Sequence, residues 1–130
     1  GRRFLIVEDN ALNMEIAVEL LHMTGASIES AINGQEAQEK FESSPAGFYD
    51  AILMDVQMPV MDGYTATRSI RAGRHPDAET IPIIAMTANT FIEDIDAAYA
   101  AGMNGHIAKP VDIKTLYQTI EEFFCAHVNS

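Results

Sequence analysis

Four apolar runs recur along the chain, Phe4-Leu5-Ile6-Val7, Ala51-Ile52-Leu53-Met54, Ile83-Ile84-Ala85-Met86 and Gly105-His106-Ile107-Ala108. Runs this short and this uniformly apolar predict strands buried on both faces. A fifth segment, Ser27-Ile28-Glu29-Ser30-Ala31, alternates and predicts a short strand. Helical periods fill the intervals. Leu12, Ile16 and Leu20 recur every fourth residue and predict one face of a helix, which Gly25 closes. Asn33-Gly34 opens a second helix running to about Phe41, and Ser43-Ser44-Pro45-Ala46-Gly47 is a loop by composition. Asp62-Gly63 starts a third helix through Ile70-Arg71. A polar loop from Gly73 to Glu79 follows. Ile92 to Ala101 is a fourth helix closed by Gly102, and Ile113 to about His127 a last amphipathic one.

Strand and helix therefore alternate strictly. That order predicts an α/β fold with a parallel sheet and helices on both faces. Right-handed crossovers make a doubly wound, flavodoxin-like sheet of five strands in the order 2-1-3-4-5 the simplest solution. The chemistry of the strand ends then becomes informative. The first run ends in Glu8-Asp9, the third strand in Asp55, the fourth in Thr87 and the fifth in Lys109-Pro110. In the expected order, strands 1 and 3 are neighbours, so Glu8, Asp9 and Asp55 meet at the topological switch point.

Three carboxylates in one place repel, and either a proton taken up or a bound cation relieves them. At a solvent-facing strand end the cation is favoured. Mg²⁺ suits such a set, because it prefers oxygen ligands and commonly uses one or two carboxylates together with a substrate phosphate. Asp9 and Asp55 are the expected direct ligands and Glu8 a water-mediated one, with the backbone carbonyl of Gln57 completing the protein's share. With charge neutralised, the ionised Asp55 can act as a nucleophile toward phosphorus without a general base. Phosphoryl transfer needs positioning and charge compensation above all. Lys109 and Thr87 can meet the remaining phosphoryl oxygens.

Composition narrows the field. The chain has 130 residues, 19 acidic and 8 basic, with a net charge of −11. That balance disfavours binding to nucleic acid, whose affinity rests on Lys and Arg contacts to phosphate. No apolar run is long enough to cross a membrane. Arg68, Arg71 and Arg74 cluster at helical spacing and read as a solvated helix face. The single cysteine, Cys125, excludes an internal disulfide, fits a cytoplasmic setting, and reads as a packing residue. The start, Gly1-Arg2-Arg3, suggests that residues 1–130 form one domain of a longer multidomain protein.

The blocks Val7-Glu8-Asp9-Asn10, Leu53 to Gly63 (LMDVQMPVMDG), Ile84 to Asn89 and Lys109-Pro110 together resemble the signature of response-regulator receiver domains. The run from Ala101 to Pro110 is similar above all to the receivers of hybrid sensor histidine kinases. The resemblance implies that Asp55 is the phosphoacceptor for a phosphohistidine, with Glu8 and Asp9 as the Mg²⁺ pocket. It makes Thr87 the switch hydroxyl and Lys109 the phosphate-binding ammonium, with a cis bond before Pro110. It further implies self-catalysed phosphorylation and dephosphorylation, and a parent protein that is membrane-anchored. The implied partners are a histidine kinase or histidine phosphotransfer domain, and a second copy through the face of the fourth helix, fifth strand and fifth helix. Nucleic acid and membrane are not contacted directly. His106 stands where the family often has a rotating Tyr or Phe. It reads as a planar ring doing the same packing, or more sharply as a switch biased by its own protonation.

The first helix offers Asn13, Ile16, Ala17 and Leu20 as a donor-docking surface. Ile16 and Leu20 are expected in the core, and Asn13 and Ala17 in exposed contact. Three other readings compete. A haloacid-dehalogenase-type phosphotransferase or phosphatase would want an acid two residues after Asp55, where Gln57 stands. A flavin carrier would want a Gly/Ser/Thr-rich loop where Glu8-Asp9-Asn10 stands. A degenerate receiver acting as an interaction module would be expected to lack some of the five site residues.

Overall fold

A computed structural model of the chain describes residues 3–23, 25–55, 63–87, 92–108 and Gln118. Its elements are β1 (Arg3–Val7), α1 (Ala11–His22), β2 (Ser27–Ala31), α2 (Gly34–Ser43), β3 (Ala51–Asp55), α3 (Gly63–Ala72), β4 (Ile83–Thr87), α4 (Ile92–Ala101) and β5 (Gly105–Ala108). The strands form one sheet in the order β2-β1-β3-β4-β5, and every pairing is parallel. The expected doubly wound order is thus realised. The final amphipathic helix, with Cys125, lies outside the described residues.

Side-chain alternation along each strand divides the core in two. Leu5, Val7, Ile52, Met54, Ile83 and Ala85 face α2, α3 and α4, where they meet Phe41, Ala66, Ile70 and Ala98. Phe4, Ile6, Leu53, Ile84, Met86 and Ile107 face the other way and meet Ala17 and Leu21 of α1. β3 is buried at every position, as a central parallel strand should be. β2, at the edge, buries only Ala31 fully. Lys40 of α2 donates to the carbonyl of Ser30 on this strand and sits 3.4 Å from Glu36.

Helix ends follow the local chemistry. The Asn33 side chain accepts from Glu36 N at 2.8 Å and caps α2. Gly25 and Gly102 follow α1 and α4 with φ of +83° and +110°, conformations that L side chains rarely adopt.

Two expectations change. The Leu12, Ile16, Leu20 stripe is not the buried face of α1: Leu12 is 65% and Ile16 43% exposed, whereas Ala17 and Leu21 are buried. Met14, Val18 and Leu20 pack partly against the sheet. The helix has apolar residues over much of its circumference, so a four-residue repeat could not by itself single out the inward face. Arg71 also departs from a solvated face, as its contacts below show. No helix among the described residues is long and apolar enough to cross a membrane.

Candidate functional site at the carboxyl end of the sheet

The acidic site grows directly from the sheet. Val7 closes β1 opposite Met54 of β3, so the residues that follow each strand emerge side by side. Glu8 continues the β1–β2 ladder by donating its N–H to Ala31 O at 3.0 Å, and its side chain is buried. One of its carboxylate oxygens accepts from Asn10 N at 3.2 Å. Asn10 O in turn accepts from Met14 N at 2.9 Å and starts α1. Asp9 is exposed between them. Asp55 is the last residue of β3, paired in register with Met86 of β4, and is buried.

Glu8, Asp9 and Asp55 each offer a carboxylate oxygen, and these three atoms lie within 4.8 Å of one another. Two walls and one open side suit a hard cation that keeps part of its water shell. The donor set is all oxygen, with no Cys or His, so it fits Mg²⁺ and disfavours a softer metal. Thr87 ends β4 in register with Ala108, but its side chain lies outside the described residues. Lys109 and Pro110 follow the last residue of β5 and also lie outside them, as does Gln57.

His106 sits on β5 opposite Ala85 and is half-buried. Its Nδ1 is buried and has no hydrogen-bond partner among the described residues.

On α1, Ala17 is buried and therefore removed from the expected docking surface, while Ile16, expected in the core, is exposed. The side chain of Asn13 lies outside the described residues. Leu12, expected on the inward stripe, and Ile32, just after β2, are also exposed. Their exposure depends on how α1 and β2 lie on the sheet.

Two further polar residues make contacts that the sequence pattern does not show. Arg71 donates from Nε and Nη2 to Gly102 O at 3.0 and 2.8 Å, from Nη1 to Ala78 O at 3.2 Å, and from Nη2 to Asn104 Oδ1 at 2.7 Å. Partial burial lowers its pKa. His75, in the loop after α3, is almost wholly enclosed, with a side-chain exposure of 3%. Helical spacing suggested solvent for the first, and the second lies in the stretch from Gly73 to Glu79 that composition marked only as a polar loop.

A family model for the response regulator receiver domain matches residues 4–121. Among curated proteins, the chain is 35% identical over 122 residues to hybrid signal transduction histidine kinase L of Dictyostelium discoideum. That match covers 93% of this chain but 7% of that protein. Among solved structures, the receiver domain of sensor histidine kinase PA1611 from Pseudomonas aeruginosa PAO1 superposes with a TM-score of 0.84 and 38% identity. It covers 94% of this chain and 96% of that one, and holds a magnesium ion coordinated in its active-site cleft. The receiver domain of Ssk1, co-crystallised with the histidine phosphotransfer signalling protein Ypd1 from Saccharomyces cerevisiae, superposes with a TM-score of 0.83 and 31% identity. Here 97% of this chain and 90% of that one are covered. With its sheet order, its acidic strand ends and a match over nearly its whole length, the chain belongs to the response regulator receiver domains of two-component phosphorelay signalling.

Proposed function

We propose that Asp55 is the phosphoacceptor and takes its phosphoryl group from a phosphohistidine on a histidine kinase or histidine phosphotransfer domain. The convergence of Glu8, Asp9 and Asp55 within 4.8 Å carries this reading. Glu8 and Asp9 would hold Mg²⁺ together with Asp55, with the carbonyl of Gln57 as the expected further ligand. When bound, the ion would offset the charge of the carboxylates and of the incoming phosphoryl oxygens. A carboxylate oxygen of Asp55 forms the new O–P bond as the N–P bond of the donor breaks, and the departing imidazole keeps the electron pair and is protonated from solvent. Lys109 is assigned to a second phosphoryl oxygen and Thr87 to a third, Thr87 and the His106 ring forming the switch. Water can attack the same phosphorus, so slow self-catalysed dephosphorylation belongs to the same site.

The exposed residues Leu12 and Ile16 at the start of α1, with Ile32 nearby on the next connection, support an apolar docking surface for the donor beside the acidic site. The partner in the Ssk1 complex is a phosphotransfer protein, which favours that class of donor. The α4–β5 face, on which Tyr99 is exposed, is the surface assigned to a second copy of the chain. The kinase relatives are far longer than this match, which supports a multidomain hybrid kinase as the parent; a cytoplasmic setting for this domain is part of the same proposal. The test is Mg²⁺-dependent labelling with a small phosphodonor, located by mass spectrometry. Label on Asp55, absent in Asp55→Asn, is the expected result. Full labelling of that variant would overturn the assignment.

A further inference from the structure

At the end of the sheet away from Asp55, the connection from α2 into β3 and the connection from α3 into β4 are joined through one imidazole. His75 Nε2 lies 2.8 Å from Ser44 O and 3.3 Å from Ser44 Oγ. Its Nδ1 accepts from Asp77 N at 3.0 Å. The ring rests on Phe41, with centroids 4.3 Å apart and planes tilted by 37°. Asp77 then reaches back across the gap, its Oδ2 accepting from Gly47 N at 2.7 Å.

These contacts specify the state of the ring. A carbonyl oxygen only accepts, so Nε2 carries a hydrogen. An amide N–H only donates, so Nδ1 must be bare. A single neutral tautomer meets both demands. A second proton, on Nδ1, would set two donors against each other at 3.0 Å in a site with 3% exposure. The nearest anionic acceptor is Asp77 Oδ2, 3.9 Å from Nδ1, and that oxygen already holds Gly47 N–H. Satisfying the imidazolium therefore means moving the 75–77 turn and loosening its grip on Gly47.

We propose that His75 is a proton-operated latch, fastening the α2–β3 connection to the α3–β4 connection while neutral and releasing it on protonation. Charged groups from every neighbouring element set where it opens. Glu42 of α2 and Arg74 line the same cavity of about 590 Å³ as His75. Asp77 lies in the turn itself, and Asp50 shares with it and Gly47 an adjacent cavity of about 490 Å³. Arg71 of α3 holds Ala78 O in the same turn. None of these groups supplies an acceptor to Nδ1 without movement.

Amide hydrogen exchange, corrected for intrinsic rates and read beside the His75 ring resonances from about pH 8 to about pH 5, tests the latch. The expected result is that protection of the Gly47 and Asp77 amides falls about tenfold or more as the ring gains its second proton. In Asp77→Asn, which removes the anionic acceptor, the same transition should move to lower pH. A ring that titrates while both amides keep their protection overturns the proposal. So does a ring that stays neutral throughout, or an unmoved transition in Asp77→Asn.

Discussion

Glu8 and Asp55 lie side by side at the ends of neighbouring strands, both buried at 3% and 2% exposure, with carboxylate oxygens within 4.8 Å. Two ionised carboxylates at that separation repel by roughly 3 kcal/mol at an effective dielectric constant of about 20. The fold tolerates this because the surrounding core is large and the site is suited to a compensating cation.

Relief of that repulsion is measurable. Without divalent ions, Asp55→Asn should raise unfolding stability by about 1–2 kcal/mol in urea titrations, since one charge of the trio is removed. Adding Mg²⁺ should reverse the ranking. Wild type gains about 2.7 kcal/mol at a hundredfold excess over the dissociation constant, and Asp55→Asn or Asp9→Asn gains far less. A wild-type melting temperature indifferent to Mg²⁺ would contradict the ion site.

The two sides of α1 should separate stability from partner recognition. Leu21→Ala deletes a fully buried side chain and should cost about 2–5 kcal/mol. Ile16→Asp, on the exposed side, should change stability by no more than about 0.5 kcal/mol. It should nonetheless slow phosphoryl transfer from a phosphotransfer domain severalfold, with labelling by a small phosphodonor unchanged. Equal slowing with both donors would remove α1 from the docking surface.

Arg71 ties the end of α3 to the turn after α4, and Asn104 passes the tie to β4 by accepting from Ile83 N at 2.9 Å. Arg71→Met should lower stability by about 2–3 kcal/mol, because charged donors to buried carbonyls are lost. Arg71→Lys should recover only part of it, since an ammonium cannot reproduce the planar fork. Gly102→Ala should also destabilise. Its φ is +110°, and a Cβ there would stand 3.1 Å from Arg71 Cγ. Urea midpoints of the three variants check the set.

Tyr49 predicts an alkaline limit. Burial raises its pKa above the ordinary tyrosine value, Glu29 adds to the rise, and Arg3 opposes it. The folded protein therefore holds this proton longer than the unfolded chain does. Its contribution is fully present below the unfolded pKa of about 10 and is lost as pH rises through the higher folded value. Tyr49→Phe should flatten the decline in stability above about pH 10, as followed by phenolate absorbance and circular dichroism.

The alternation of apolar runs with helical periods was enough to reach the parallel sheet and its order, because short, mostly apolar runs set between helical segments fit interior strands joined by right-handed crossovers. The acids at the ends of the first and second runs were equally visible, and once the order was known their meeting was a matter of connectivity. Which face of α1 turns inward was not. Leu12, Ile16 and Leu20 made as good a stripe as Met14, Ala17, Val18 and Leu21, and only packing onto the sheet chose against Leu12 and Ile16. Arg71 and His75 lay beyond reach for a related reason. Each has a backbone carbonyl partner 31 residues away, Gly102 O for Arg71 and Ser44 O for His75, and such groups have no signature in residue type. Local pattern determines what can be buried, whereas packing of distant segments decides which polar atoms are left for a guanidinium or an imidazole to satisfy.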